Sequence, residues 1–287
     1  MAKATKTAMS PTAGHDLSHL SPAASRLGTL FARPKWIAVI CVIGLAGLGW
    51  FALGLQAANI GWLEALCRPL AVGTPTAAAV AAIALMWGAM TLAMMLPSAG
   101  PMILTYAEIA DTAARKNETV VSPFVLAGGY TAVWFGFAAV ATLAQIALTR
   151  AALIDPAMAT VSGLFSGAIF IGAGLYQFSA LKQACLRQCR NPFPFFFTNW
   201  ATTPRGVFRL GLRQGLFCLG CCWAMMAVMF AVGVMNVVWM AALGIIMTLE
   251  KLGTGTRFSQ VLGVVLIAIG GYFVVTGFAA HWPGRAI

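Results

Sequence analysis

Charge is what this chain has least of: 9% of its 287 residues are Asp, Glu, Lys or Arg, against about a quarter in an ordinary soluble domain. Acidic residues number seven and histidines three. Paired carboxylates in an enzyme-like setting, a Walker-type phosphate loop and a Ser/His/Asp constellation are all missing, and with them the usual equipment for hydrolysis and phosphoryl transfer. Without an ATP site, any transport is passive or coupled elsewhere. No apolar run carries a charge near its middle, which argues against a proton relay. An early signal-peptide pattern is also lacking. The first apolar run begins after about 35 polar, Ala/Ser/Thr-rich residues, too late for an ordinary secretory n-region.

Apolar residues fill the space that charge leaves. They make up 60% of the chain, with a mean hydropathy of +0.86, which excludes a water-soluble fold and predicts an all-α polytopic membrane protein. Runs near the ~20 residues needed to cross a bilayer fall at about 36–56, 77–97, 122–148, 160–181, 214–233, 236–250 and 259–280. The expectation is about seven transmembrane helices, the sixth short. Residues 1–35 read as a disordered cytoplasmic tail and 36–287 as one transmembrane helical domain, with 182–213 a cytoplasmic interfacial loop.

The net charge of +11 is placed for lipid, and nucleic acid is not an expected partner. With the N-terminus inside, fifteen of the 18 Lys and Arg lie on cytoplasmic stretches, among them Arg115, Lys182, Arg187, Arg205 and Lys251. Only Arg68, Arg150 and Arg285 fall outside. This positive-inside pattern predicts a cytoplasmic N-terminus, a periplasmic C-terminus and a bacterial inner (cytoplasmic) membrane location, with basic residues against anionic headgroups of the bilayer.

Local punctuation adds further expectations. Pro97 and Pro101, with Gly100 between them, should break or kink a helix. That marks either a broken helix of the kind that lines substrate sites in transporters or a plain helix exit. Gly163, Gly167 and Gly174 read as close packing between helices. The aromatic run from Pro192 to Phe197, with Trp200 and flanking Arg190 and Arg205, reads as a headgroup-level anchor that also joins the two cysteine clusters. His15 and His19 are spaced to share a helical face, either as a metal pair or as ordinary polar residues. Glu108, Asp111, Glu250 and Lys251 are expected to face water or to pair locally.

Sulfur is concentrated. Five of seven cysteines form two clusters, Cys185/Cys189 and Cys218/Cys221/Cys222, each at the end of an apolar segment. Cys185 and Cys189 are i and i+4. Cys218, Cys222, Met225 and Met229 form one helical stripe, with Cys221 and Met226 beside it, and Met86, Met90 and Met94 form a second stripe. Thiolates and thioethers are soft ligands that suit copper(I). Four cysteines also match a structural zinc site, although thioethers are unusual zinc ligands. The competing explanation is plain packing, since buried Cys and gap-filling Met are both common in cores.

Three segments carry a family likeness: Met86-Trp87-Gly88-Ala89-Met90-Thr91-Leu92-Ala93-Met94-Met95-Leu96-Pro97, Lys182-Gln183-Ala184-Cys185-Leu186-Arg187-Gln188-Cys189-Arg190, and Gly215-Leu216-Phe217-Cys218-Leu219-Gly220-Cys221-Cys222-Trp223-Ala224-Met225-Met226. With Trp239-Met240 and Glu250-Lys251, they resemble a bacterial family of predicted metal-binding integral membrane proteins, some members of which carry the label copper chaperone. The likeness spans roughly residues 77–280, and what it implies is metal binding.

The expected function is therefore a non-enzymatic membrane carrier or chaperone for Cu(I), with Zn as the second candidate ion. The methionine stripes would form a path and the five cysteines a cytoplasmic-side holding site. A cuproenzyme client or a soluble copper chaperone would be its partner. Two alternatives of another class stand beside it: a membrane thiol-disulfide oxidoreductase, and a non-catalytic scaffold subunit of a membrane complex.

Overall fold

Polar caps open four of the helices. Thr76 Oγ1 accepts from Ala79 N at 3.2 Å, Ser179 Oγ from Lys182 N at 3.1 Å, and Thr203 Oγ1 from Gly206 N at 3.2 Å, while Ser122 caps a helix whose first residue is Pro123. Each supplies an acceptor to an amide that has none inside the helix. In the computed structural model the described residues are 76–151, 153, 162–234, 237–253 and 255–281, with parts of 43–58. Among them there are helices and no strand. In chain order these are α1 (Ala77–Arg115), α2 (Pro123–Arg150), α3 (Gly163–Tyr176), α4 (Ala180–Arg190), α5 (Pro192–Thr198), α6 (Pro204–Val232), α7 (Val237–Leu252) and α8 (Arg257–His281). The tail at 1–35, Cys41, Cys67, Arg68, Arg285 and the His15/His19 pair lie outside the described residues.

Among the described residues, four helices are long and apolar enough to cross a membrane: α1, α2, α6 and the 257–277 part of α8. A fifth crossing exists if α3 and α4, bent by 64° at their junction, count as one broken span. The best apolar window of α1 is 61% buried within the protein, whereas that of α8 is only 22% buried. α1 therefore stands at the centre and α8 at the lipid-facing edge.

The sequence-based break at Pro97 and Pro101 does not occur; α1 runs through both prolines to Arg115. Proline at position 97 removes the amide that would bond the Ala93 carbonyl, and the Trp50 indole takes that carbonyl instead at 2.9 Å. The helix stops at a Schellman turn. Asn117, at φ 59°, puts its own amide on Ala114 O and the Glu118 amide on Ala113 O, and Asn tolerates this left-handed geometry. At about 1.5 Å per residue, the 39 residues of α1 span about twice a bilayer core, so roughly half its length projects beyond the membrane.

Stretch 182–213, read from sequence as an interfacial loop, is mostly helical. It holds the rest of α4, all of α5 and the first turns of α6. The reason is local: Ser179 and Thr203 supply caps, and Pro192 and Pro204 occupy first-turn positions where a missing amide is harmless. α5 is a ring cluster. Phe196 and Trp200 meet Tyr106 of α1 at ring-centre distances of 5.5 and 5.4 Å, and Phe195 packs on Phe217 of α6 beneath the Arg213 guanidinium. The expected link between the cysteine-bearing helices is present in this form.

Glycine sets two close crossings. Gly163, Gly167 and Gly174 of α3 lie against Gly277, Gly270 and Gly263 of α8; a Cβ added at Gly167, Gly174 or Gly270 would strike the facing backbone, and one at Gly263 the Phe178 and Gln177 side chains. They do the packing expected of them. Gly129 of α2 and Gly211 of α6 cross as closely, each against the other helix's carbonyls. That second crossing brings Tyr130 to the middle of α6.

Candidate metal centre

Cys218, Cys221 and Cys222 sit at mid-length of α6, all buried, with their Sγ atoms within 4.8 Å of one another. Helical geometry alone would point Cys221 about 60° away from Cys218 and Cys222 about 40° away on the other side. The thiols therefore fan across one third of the helix circumference. Sγ of Cys221 lies 3.3 Å from that of Cys222 and 3.9 Å from that of Cys189, and it donates to the Cys218 carbonyl at 3.1 Å. The α3–α4 bend delivers Cys189. Cys185 meets α6 at Gly220, where a Cβ would come within 2.6 Å of its sulfur. Both α4 cysteines are half-buried, while the α6 thiols are closed off. All five are free thiols; Cys189 joins the α6 group through its sulfur, and Cys185 reaches α6 beside it at Gly220.

Polar groups that the sequence reading left in water surround this sulfur. Lys251 Nζ lies 3.0 Å from Cys218 Sγ and 2.6 Å from Ser98 Oγ, and the Tyr130 hydroxyl lies 2.9 Å from the same sulfur and donates to Met95 O at 3.1 Å. Lys182, 0% exposed, pairs with Glu250, 1% exposed, at 2.8 Å. Its Nζ also donates to Cys221 O at 3.0 Å. Ser259 donates to the second Glu250 oxygen at 2.6 Å, and Arg190 binds the Glu250 carbonyl at 2.7 and 3.0 Å.

The expectation that Glu250 and Lys251 face water or pair locally is thus corrected. Apart from Ser259, nine positions on, their partners are distant in sequence, because α7 ends inside the bundle against α1, α4 and α6. Likewise Lys182 and Lys251, which the charge count places on the cytoplasmic surface, are turned into the core. The available signal was position: Lys182 stands three residues before Cys185. By contrast, Asp111 pairs locally with exposed Arg115 at 2.8 Å, as expected.

The methionines are buried in the same core: Met86, Met90 and Met94 on α1, and Met225, Met226 and Met229 on α6. The two helices run antiparallel. Trp87 meets Phe230 at a ring-centre distance of 5.2 Å, and Ser98 and Cys218 share Lys251. Both intervals are about 16–18 Å of helix; Met90, Met94 and the three α6 methionines fall inside them, and Met86 lies one position outside. Met94 packs at Gly244 of α7, and Met225 Sδ accepts from Gln177 Nε2 at 3.1 Å. Met86 and Met90 thus lie two to three turns of α1 from Ser98, away from the thiols.

Chemically, the arrangement offers several soft donors within ligand-exchange distance, a nearby cation and no bulk water. A cavity of about 10 Å³, the size of one water-sized sphere, opens between Ser98, Met102, Tyr130, Cys189, Cys218 and Lys251. A larger one, about 450 Å³, lies elsewhere, between the projecting end of α1 and the aromatic rings of α5.

Comparison with known proteins places these residues in context. A family model described as "PpoB2: Copper chaperone" matches residues 84–273, which includes every thiol of the centre. No curated protein and no solved structure matches.

Proposed function

Because the chain belongs to the PpoB2 copper chaperone family, we propose that it is a non-enzymatic carrier that holds Cu(I) as cargo and passes it across or along the membrane. The observation that carries this reading is the closed group of Cys218, Cys221 and Cys222, joined by Cys189 through a 3.9 Å sulfur contact. Thiolate-rich sites favour Cu(I) among common ions, and the aligned, buried methionines favour it over Zn(II), which thioethers bind poorly.

Movement would proceed by ligand exchange. Cys222, Cys221 and Cys189 form a chain of sulfur contacts at 3.3 and 3.9 Å, so an ion can gain the next sulfur before it leaves the last. Half-buried Cys185 and Cys189 would receive or release the ion at the cytoplasmic side. Met86, Met90 and Met94, with Met225, Met226 and Met229, would form the path toward the other side. The matching topology is about seven spans in a bacterial inner membrane, N-terminus inside and C-terminus in the periplasm. A cuproenzyme or a soluble copper chaperone would be the partner.

Anaerobic Cu(I) titration in detergent and transfer in proteoliposomes test this together. A Cys218/Cys221/Cys222→Ser variant should lose near-stoichiometric binding. A Met86/Met90/Met94→Leu variant should keep binding and lose transfer. Unaltered binding in the serine variant would contradict the proposal, and thiol exchange that survives all methionine changes without copper binding would favour the oxidoreductase alternative.

A further inference from the structure

The thiol triplet on α6 is one candidate seat for the ion, but a second arrangement lies beside it. The cavity of about 10 Å³ is lined by two thiols from different helices, Cys189 and Cys218, by the thioether of Met102, and by Lys251, Tyr130, Ser98 and Gln214. It admits one bare ion and has no room for a hydrated one. Gln214 is buried, and its carboxamide nitrogen has no hydrogen-bond partner. A buried donor without an acceptor is costly, and it marks a cavity built to be filled by something that presents an acceptor, as a metal-bound thiolate does.

Charge then discriminates among ions. Lys251 is the cation that touches the cavity sulfur, at 3.0 Å from Cys218 Sγ. The other buried lysine, Lys182, is already neutralised by Glu250. Two thiolates around a monovalent ion carry a net charge of −1, which the ammonium brings to zero. The same two thiolates around a divalent ion are neutral, which leaves the ammonium uncompensated. Buried uncompensated charge is strongly disfavoured.

Resting on the copper reading above, we infer that the ion's seat is the Cys189–Cys218–Met102 cavity and that Lys251 is the specificity-determining residue which sets its valence preference. Met102 is a ligand outside both methionine stripes. Lys251 does not bind the ion; it selects monovalent soft ions, Cu(I) and its surrogate Ag(I), over Zn(II) and Cd(II).

The test is a competition titration of the full-length, detergent-solubilised protein with Ag(I) against Cd(II), read by thiolate-to-metal absorption. Lys251→Met should cut the preference for Ag(I) over Cd(II) by about 100-fold or more, the scale of one unit charge a few ångströms away in a low-dielectric site. Lys251→Arg should restore it. Met102→Leu, nearly volume-conserving, should weaken Ag(I) binding about tenfold, and it decides the seat if Lys251→Met does not fold. An unchanged Ag(I)/Cd(II) ratio in folded Lys251→Met, or unchanged Ag(I) affinity in Met102→Leu, would overturn the inference while leaving copper binding intact. Wild-type protein that binds neither Ag(I) nor Cu(I) would instead remove the reading beneath it.

Discussion

The α3–α8 contact and the α1–α4–α6–α7 centre use small and polar residues in opposite ways. At α3–α8, three glycines meet three glycines, most of them backbone against backbone, and none of their close neighbours is a charged side chain. At the centre, small residues make room for sulfur: Gly220 admits Cys185, and the Gly129–Gly211 crossing carries Tyr130 to Cys218. Three buried charges then surround the thiols. In lipid, close packing alone holds helices together, so the first region needs nothing more. The second holds desolvated charges that packing does not explain, and such groups in a membrane domain mark function.

Predictions that break this contrast rank by size. Glu250→Leu leaves Lys182 buried without its counter-ion, and should cost about 3–5 kcal/mol. Thermal unfolding in detergent measures it, and a loss under about 1 kcal/mol would mean that the pair is effectively solvated. Gly167→Leu should overpack α3 against Val274 and Gly270 and cost about 1–3 kcal/mol. Copper stoichiometry should be unchanged, and a loss of copper in a folded variant would erase the distinction between the two regions. Tyr130→Phe removes a hydroxyl that contacts Cys218 Sγ and Met95 O. It should cost about 1 kcal/mol and shift Cu(I) affinity several-fold in the same titration. Asp111→Asn breaks an exposed pair on the projecting end of α1 and should change stability by less than about 0.5 kcal/mol.

The same contrast explains what could be read from the sequence. Apolar windows at 77–97, 122–148, 214–233 and 259–280 correspond to α1, α2, α6 and α8, because length and hydropathy are local properties. Cys218, Cys221 and Cys222 were legible for the same reason, since helical spacing alone brings their sulfurs together. The glycines of α3 were legible as packing, although their partners on α8 were not. Non-local features escaped. Lys251 and Ser98 are 153 positions apart, and Lys182 and Glu250 are 68 apart, so each looked like a solvated residue near a helix end. Pro97 looked like a helix breaker because nothing near it in sequence shows that Trp50 takes the freed carbonyl. The bend between Tyr176 and Ala180, which turns α4 and its cysteines toward α6, likewise depends on contacts with a helix more than 20 residues away.

X-ray absorption at the copper edge of the Cu(I)-loaded protein tests the central claim most directly. The account predicts a low-coordinate shell made of sulfur alone in the wild type, lost when Cys218, Cys221 and Cys222 are replaced by serine. A shell of nitrogen or oxygen scatterers, or a sulfur shell that survives the triple substitution, would contradict it.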